Sequence, residues 1–174
     1  ANISSITAYM NTMNNVKGMT LIELMVTMGV IVILLAIGVP SMQGTSQNNR
    51  LDSAISSLSS DFAFARSEAV TRNVSVRIRS FNGNTDWSGG WIVETMPTAG
   101  ASVRLRNSPA LAANILLAAK TGAATSLTYN SDGSQTAGLL TFRACKKGDT
   151  SSHGREVRVN ATGRIKHLTK QGCP

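Results

Sequence analysis

The apolar residues of this chain fall into successive patterns, each with its own period. From Met19 to Val39 nearly every residue is apolar, and Glu23 is the only charged one. As a helix this stretch is roughly 30 Å long, about the thickness of the hydrocarbon core of a bilayer. We therefore predict a membrane-spanning helix over residues 19–40.

A helical period returns after a polar stretch that follows Pro40. Apolar residues then recur at alternating spacings of four and three, at Leu51, Ile55, Leu58, Phe62, Ala65 and Ala69. This spacing predicts an amphipathic helix within residues 41–73, with one face laid on a sheet and an end near Asn73.

The remainder, residues 74–174, alternates apolar and polar residues with a period of two, which is typical of strands. Turn sequences rich in Gly, Asn, Asp and Ser separate the alternating segments. The pattern predicts six to eight short strands, at 74–79, 91–93, 103–106, 114–119, 126–129, 139–143, 156–160 and 165–168. One long N-terminal helix followed by these strands is an α+β layout.

Composition excludes several kinds of site. The 174 residues include 2 Cys and 2 His, too few for a closed four-cysteine zinc site or a histidine-rich metal centre. No nucleophile elbow, phosphate-binding loop or dinucleotide fingerprint is present. We therefore expect no enzymatic activity, no metal and no other cofactor.

Positive charge is concentrated near the C-terminus. From Arg143 to Lys170 there are eight Lys and Arg against two acids, so this segment carries +6 of the net +8. The simplest interpretation of these Lys and Arg residues is that they are the solvent-facing residues of ordinary strands. The near absence of acids among them favours a polyanion-binding surface instead. The candidate contacts are Arg155, Arg158, Arg164, Lys166 and Lys170, with Lys146 and Lys147 at the rim and His167 only if protonated. Phe142 is the only aromatic residue in this segment, and it alternates in phase with Leu140, which predicts that it points into the core. Because bases would then have no exposed ring to stack on, binding would be to phosphates with little sequence preference.

The start of the apolar run carries a motif. Residues 17–24 read KGMTLIEL, which resembles the class III signal of type IV pilins and type II secretion pseudopilins. The resemblance implies that a prepilin peptidase cuts after Gly18 and methylates Met19 as the new N-terminus. It also implies that Glu23 pairs with the N-terminal amine of a neighbouring pilin during assembly. Met19 replaces the usual phenylalanine, and the leader, residues 1–18, holds a single Lys.

A pilin resemblance implies a long helix packed on a C-terminal antiparallel β-sheet domain. It also implies a protein of the bacterial inner membrane and the type IV pilus, with its C-terminal domain in the periplasm. In that compartment Cys145 and Cys173 would form one disulfide. Closing this loop would stabilise the fold by roughly 3–4 kcal/mol on the chain-entropy model. The bond is either a plain staple for the C-terminus or also holds the basic segment against the sheet.

Further short motifs are similar to those of the FimT/GspH-type minor pilins. They are Ala65-Arg66-Ser67-Glu68-Ala69, then Trp87 with Gly90-Trp91, then Val157 to Asn160 leading into Gly163-Arg164. In FimT-like proteins a Gly-Arg-x-Arg element is associated with DNA binding in natural transformation. Here it reads Gly163-Arg164-Ile165-Lys166, with lysine in place of the last arginine. The resemblance implies DNA as the partner, and the alternative is a structural minor pilin or GspH-like pseudopilin that initiates or caps the fibre.

Overall fold

The computed structural model describes residues 18–98, 100–121, 124–150 and 153–173, with the side chains of 38–45, Lys170 and Gln171 outside the description. The predicted leader therefore lies almost entirely outside the described residues. The chain divides into two compact units between Met42 and Gln43. The described elements are α1 (Leu21–Arg72), β1 (Ser75–Ser80), β2 (Trp91–Met96), β3 (Arg104–Ser108), β4 (Ile115–Thr121), β5 (Ser126–Tyr129), β6 (Leu140–Lys146), β7 (Gly154–Val159) and β8 (Ile165–Gln171).

In the first unit, α1 starts directly after Thr20, whose hydroxyl oxygen accepts a hydrogen bond from the backbone N–H of Glu23 at 3.2 Å. The large apolar side chains between Leu21 and Ile37 are exposed. Among the described residues, no helix is both long and apolar enough to cross a membrane. The span predicted over residues 19–40 remains a prediction, because the side chains of its last three residues are outside the description.

In the second unit, the predicted amphipathic stripe of α1 is buried, as expected from its spacing. All six stripe residues from Leu51 to Ala69 are at most 4% exposed. The helix ends at Arg72 because Asn73 takes a positive φ of 52°, and the N–H of Val74 then bonds the carbonyl of Ala69 at 3.2 Å. Both the stripe and the predicted end near Asn73 are confirmed.

All eight predicted strands are present, and they form two four-stranded antiparallel sheets. Sheet A has the order β3-β2-β1-β5, and sheet B has the order β4-β6-β7-β8. The predicted antiparallel β-sheet domain is confirmed, and the division of its strands between two sheets was not predicted. In sheet A, β1 pairs with β2 on one side and with β5 on the other. Such pairings between strands distant in sequence leave no trace in a period-two pattern, which reports only which face of a strand is buried.

One core joins the helix to both sheets. The α1 stripe packs with alternate residues of β1 and β2 from sheet A and of β6 and β7 from sheet B. Phe142 is at its centre, with ring centroids 5.1 Å from Phe62 and 4.9 Å from Trp87. Since both sheets turn one face to this core, their outer faces point away from it and carry the polar residues discussed below.

Candidate nucleic-acid interface

The turn of the β7–β8 hairpin is fixed by Asn160. The N–H of Asn160 donates to the carbonyl of Arg164 at 3.2 Å, and its carbonyl accepts from the N–H of Gly163 at 2.9 Å. Its side-chain Oδ1 accepts from the N–H of Arg164 and from the hydroxyl of Thr162, both at 2.8 Å. Because four hydrogen bonds hold residues 160–164, the basic residues that follow leave the turn in a defined direction.

Gly163 meets two separate steric demands in this turn. Its φ is +75°, a left-handed conformation that costs free energy for a residue with a Cβ. A Cβ built here would also lie 2.4 Å from the carbonyl oxygen of Gly133 and 3.0 Å from Nε of Arg66. The turn therefore packs directly on the neighbouring turn around Gly133, which leaves no room for a side chain.

Arg66 of α1 ties these two turns to the helix. Its Nε donates to the carbonyl of Gly133 at 2.9 Å, and its Nη2 donates to the carbonyl of Thr162 at 3.0 Å. In the sequence, Arg66 was noted only as part of the short motif Ala65-Arg66-Ser67-Glu68-Ala69. The feature of the sequence that could have predicted this role is the position of Arg66 near Ala65 and Ala69, at the border of the buried helix face. A long side chain at such a position can reach over the sheet.

Two cations of the hairpin are unpaired and exposed. Within the described residues, neither Arg164 nor Lys166 makes an ion pair or a side-chain hydrogen bond, and both are exposed. Lys166 is directly across from Arg158 in the β7–β8 register, and side chains in such pairs project to the same side of the sheet. Arg158, Arg164 and Lys166 thus form a group of three cations, here called the hairpin cations, at one end of sheet B.

Glu156 orients one of the three. Its carboxylate is fully buried and accepts from Nε of Arg158 at 2.6 Å and from Nε of Arg143 at 3.0 Å. A buried carboxylate needs such partners, since desolvation of an unpaired charge is costly. The side chain of Arg158 keeps 41% exposure, so its remaining N–H donors face solvent. Arg143 is turned inward instead, and its Nη1 donates to the carbonyl of Gly172 at 2.6 Å.

Other predicted contacts are placed elsewhere. Nε of Arg155 is 2.5 Å from Oδ1 of Asp52 on α1, and the side chain of Arg155 is only 16% exposed. Lys146 and Lys147 are exposed at the end of β6 opposite to the end where the hairpin turn lies. Six residues of β6 separate the two ends, a distance of about 20 Å. The side chain of Lys170 lies outside the described residues, and His167 is exposed on β8.

The two cysteines form the predicted disulfide. Cys145 on β6 is bonded to Cys173, which follows β8, with the two Cα atoms 5.9 Å apart. The bond ties the segment that follows β8 to β6 past the start of β7, where the carbonyl of Gly172 accepts a hydrogen bond from the guanidinium of Arg143. The disulfide therefore lies near Glu156 and its ion pairs, and the hairpin cations lie at the far end of the sheet.

The N-terminal motif has its own geometry. Gly18 and Met19 precede α1 and are exposed. Glu23 is exposed in the first turn, where a carboxylate is favoured by the positive end of the helix dipole. Thr20 and Glu23 also have the spacing of a capping box, a local signal for the start of α1.

No metal-binding cluster of His, Cys, Asp or Glu is found in the described part of the chain. A groove of about 570 Å³ lies between α1 and the hairpin turn, lined by residues that include Arg66, Val70, Arg164 and Ile165. The chemistry offered at this end of the domain is thus hydrogen bonding by guanidinium and ammonium groups to an anion.

Comparisons with known proteins agree with this architecture. The type IV minor pilin FimU of Pseudomonas aeruginosa is 27% identical over 75% of this chain and 96% of its own, with a TM-score of 0.62. A second crystal form of FimU is 25% identical with a TM-score of 0.58, over 71% of this chain and 96% of its own. The minor pseudopilin EpsH of the Vibrio cholerae type 2 secretion system shares the fold, at 15% identity over 69% of this chain and 97% of its own, with a TM-score of 0.56.

Family models match both parts of the sequence. A prokaryotic N-terminal methylation motif matches residues 13–39, and the model of the type II transport protein GspH matches residues 54–163. Among curated proteins, no sequence matches the chain significantly. The resemblance to FimT/GspH-type minor pilins is confirmed at the level of the family, which implies association with a pilus or a membrane. Since the GspH match covers more than half of the chain, this protein belongs to the GspH family and is a minor pilin or pseudopilin.

Proposed function

We propose that this protein is a minor type IV pilin that holds DNA through its phosphate backbone at the hairpin cations, in support of DNA uptake during natural transformation. The observation that carries the proposal is the grouping of Arg158, Arg164 and Lys166 beside a rigid turn. Arg164 and Lys166 are exposed and unpaired among the described residues, so their charge is available to a ligand.

Phosphates are the favoured part of such a ligand. The β7–β8 hairpin contains no Phe, Tyr or Trp on which a base could stack. Contacts from guanidinium and ammonium groups to phosphate oxygens carry no sequence information. Lys166 supplies a point charge, whereas Arg158 and Arg164 supply planar forks that contact two oxygens at once. Binding by this group is therefore independent of sequence and sensitive to salt.

The N-terminal motif gives the route into a fibre under this proposal. A prepilin peptidase cuts the exposed bond between Gly18 and Met19 and methylates the new N-terminus. Glu23, four residues further on, then meets the N-terminal amine of a neighbouring pilin. Support comes from the methylation motif over residues 13–39 and from the exposure of Gly18, Met19 and Glu23.

A structural minor pilin or pseudopilin that initiates or caps the fibre without DNA is the second candidate. One observation favours it, because three arginines of the basic segment, two of them predicted contacts, are already engaged by the chain's own carboxylates. Arg143 and Arg158 share Glu156, and Arg155 pairs with Asp52. The charge left for a ligand is therefore smaller than the net +6 of the segment suggests.

The test is a titration of the full chain, kept in a nonionic detergent, with short duplex DNA of mixed sequence at several salt concentrations. Three phosphate contacts give a slope of about −2.7 for log K against log salt. An Arg164→Gln/Lys166→Gln variant retains one contact, so we expect its slope to fall to about −0.9.

The matched control is Arg50→Gln/Lys120→Gln, which removes one Arg and one Lys that are also exposed. We expect this control to keep the slope of the unaltered chain. If the unaltered chain does not bind at low salt, or if both variants weaken binding equally, the structural minor pilin becomes the better account.

A further inference from the structure

The outer face of sheet A carries a second group of cations, which the charge count along the sequence did not reveal. Arg77 and Arg79 point outward from β1, because the residues between and beside them are buried. In the register of sheet A, Glu94 of β2 is directly across from Arg77 on one side and from Arg104 of β3 on the other. Three arginines therefore surround a single carboxylate.

That carboxylate cannot neutralise all three. Its Oε1 accepts from Nε of Arg77 at 3.0 Å and from Nε of Arg79 at 3.1 Å. Arg104 is exposed and, among the described residues, makes no ion pair and no side-chain hydrogen bond. The group carries a net charge of +2, and the forks of Arg79 and Arg104 retain N–H donors for an incoming carboxylate or phosphate.

Apolar side chains at both ends distinguish this face from the hairpin. Phe81 follows β1 with the same outward parity as Arg79 and is 54% exposed, while Met96 ends β2 on the outer face and is 38% exposed. They lie at opposite ends of the β1–β2 pair, about 20 Å apart. No strand of sheet A contains lysine. Arg, Phe and Met are residues enriched in protein interfaces, whereas Lys is depleted there.

A second copy of this chain does not supply the complementary charge. Five of its nine acids are already paired with its own arginines, at Asp52, Asp61, Glu68, Glu94 and Glu156. Of the other four, Asp86, Asp132 and Asp149 lie in three different connections between strands, and Glu23 is by itself in the first turn of α1. The partner that complements the face is therefore a different molecule.

We propose that the outer face of sheet A, around Arg77, Arg79 and Arg104, docks a different protein whose contact surface presents carboxylates beside apolar side chains. The arginine forks receive the carboxylates, and Phe81 and Met96 receive the apolar groups. Glu94 holds Arg77 and Arg79 in place before the partner arrives, which lowers the entropy lost on docking. This surface is distinct from the hairpin cations and does not depend on their binding DNA.

The test uses the full chain in nonionic detergent and a labelled short peptide in which Glu and Leu alternate, followed by fluorescence anisotropy. The same peptide with Gln in place of Glu measures the requirement for carboxylates, and detergent alone is the blank. The variant is Arg79→Gln/Arg104→Gln, which leaves Arg77 to pair with Glu94. Its control is Arg164→Gln/Lys166→Gln, which removes the same charge from the hairpin. Thermal unfolding of each variant confirms that it is folded.

We expect the unaltered chain to bind the Glu peptide and not the Gln peptide. Arg79→Gln/Arg104→Gln weakens this binding about tenfold or more, the control variant keeps it, and Phe81→Ala weakens it with no change of charge. Excess duplex DNA leaves the peptide bound.

Three results would overturn the proposal: no peptide binding by the unaltered chain at low salt, equal peptide affinity in both double variants, or loss of DNA binding instead of peptide binding in Arg79→Gln/Arg104→Gln. Failure of DNA binding at the hairpin is read separately, from the effect of the control variant on duplex DNA.

Discussion

Replacing Gly163 with alanine tests how the hairpin turn is held. The left-handed φ of +75° costs about 1–2 kcal/mol for a residue with a Cβ. The new methyl group would lie 2.4 Å from the carbonyl oxygen of Gly133, which must move. That carbonyl is the acceptor for Nε of Arg66, and a lost hydrogen bond to a charged donor adds about 1.5–3 kcal/mol. We therefore expect Gly163→Ala to lower the free energy of unfolding by about 2.5–5 kcal/mol, the sum of the two costs.

The assay is thermal unfolding of the full chain in detergent, followed by the fluorescence of the two buried tryptophans. A loss of this size lowers the Tm by about 5–20 °C for a domain of this length. Gly148→Ala is the control, because Gly148 has a φ of +78° but a methyl group at its Cα would meet no atom within 4 Å. It should cost only the conformational share, about 1–2 kcal/mol. Equal losses in the two variants would refute the argument from the Gly133 contact.

The remaining predictions concern buried polar groups and the disulfide. Asp61→Ala should destabilise by roughly 3 kcal/mol, seen in denaturant unfolding, since it leaves the buried N–H of Trp91, now 2.7 Å from the carboxylate, without an acceptor. Reduction of the Cys145–Cys173 bond should cost about 3–4 kcal/mol in the same assay yet leave the hairpin turn able to bind DNA. Burial raises the pKa of Glu94, but its arginine partners outweigh this and hold the pKa below its ordinary value. The ion pairs therefore stabilise the fold above about pH 4.3 and are lost as the pH falls through the lowered pKa, a loss that Glu94→Gln should abolish in unfolding measured against pH.

The basic segment shows how charge along a sequence differs from charge on a surface. Arg143, Arg155 and Arg158 were all counted as part of it, and the fold gives each of them a carboxylate partner. Asp52, the partner of Arg155, is about a hundred residues earlier in the chain, so no local pattern connects the two. Arg77, Arg79 and Arg104 were hidden in a part of the chain whose net charge is small. The register of sheet A brings them together around Glu94.

Local sequence patterns predicted the helix and the strands because the burial of one face of an element is visible in the spacing of residues that are close together in the chain. The alternating spacing of four and three in α1 reports which helix face is buried, and the period of two in the strands reports the same for a sheet. The motif around Gly18 and Glu23 is likewise read within a few residues. By itself the sequence therefore determined the element types, the buried stripe from Leu51 to Ala69, the eight strands and the kinship with pilins.

Tertiary structure alone decided how these elements meet. It divided the strands into two sheets, placed Arg66 across two turns and buried Glu156 between two arginines. It also separated Lys146 and Lys147 from the hairpin cations and, within the described residues, left Arg164 and Lys166 unpaired. Each of these outcomes depends on contacts between residues distant in the chain. Such contacts form only when the core around Phe142 packs, because this packing fixes the registers of all the strands together.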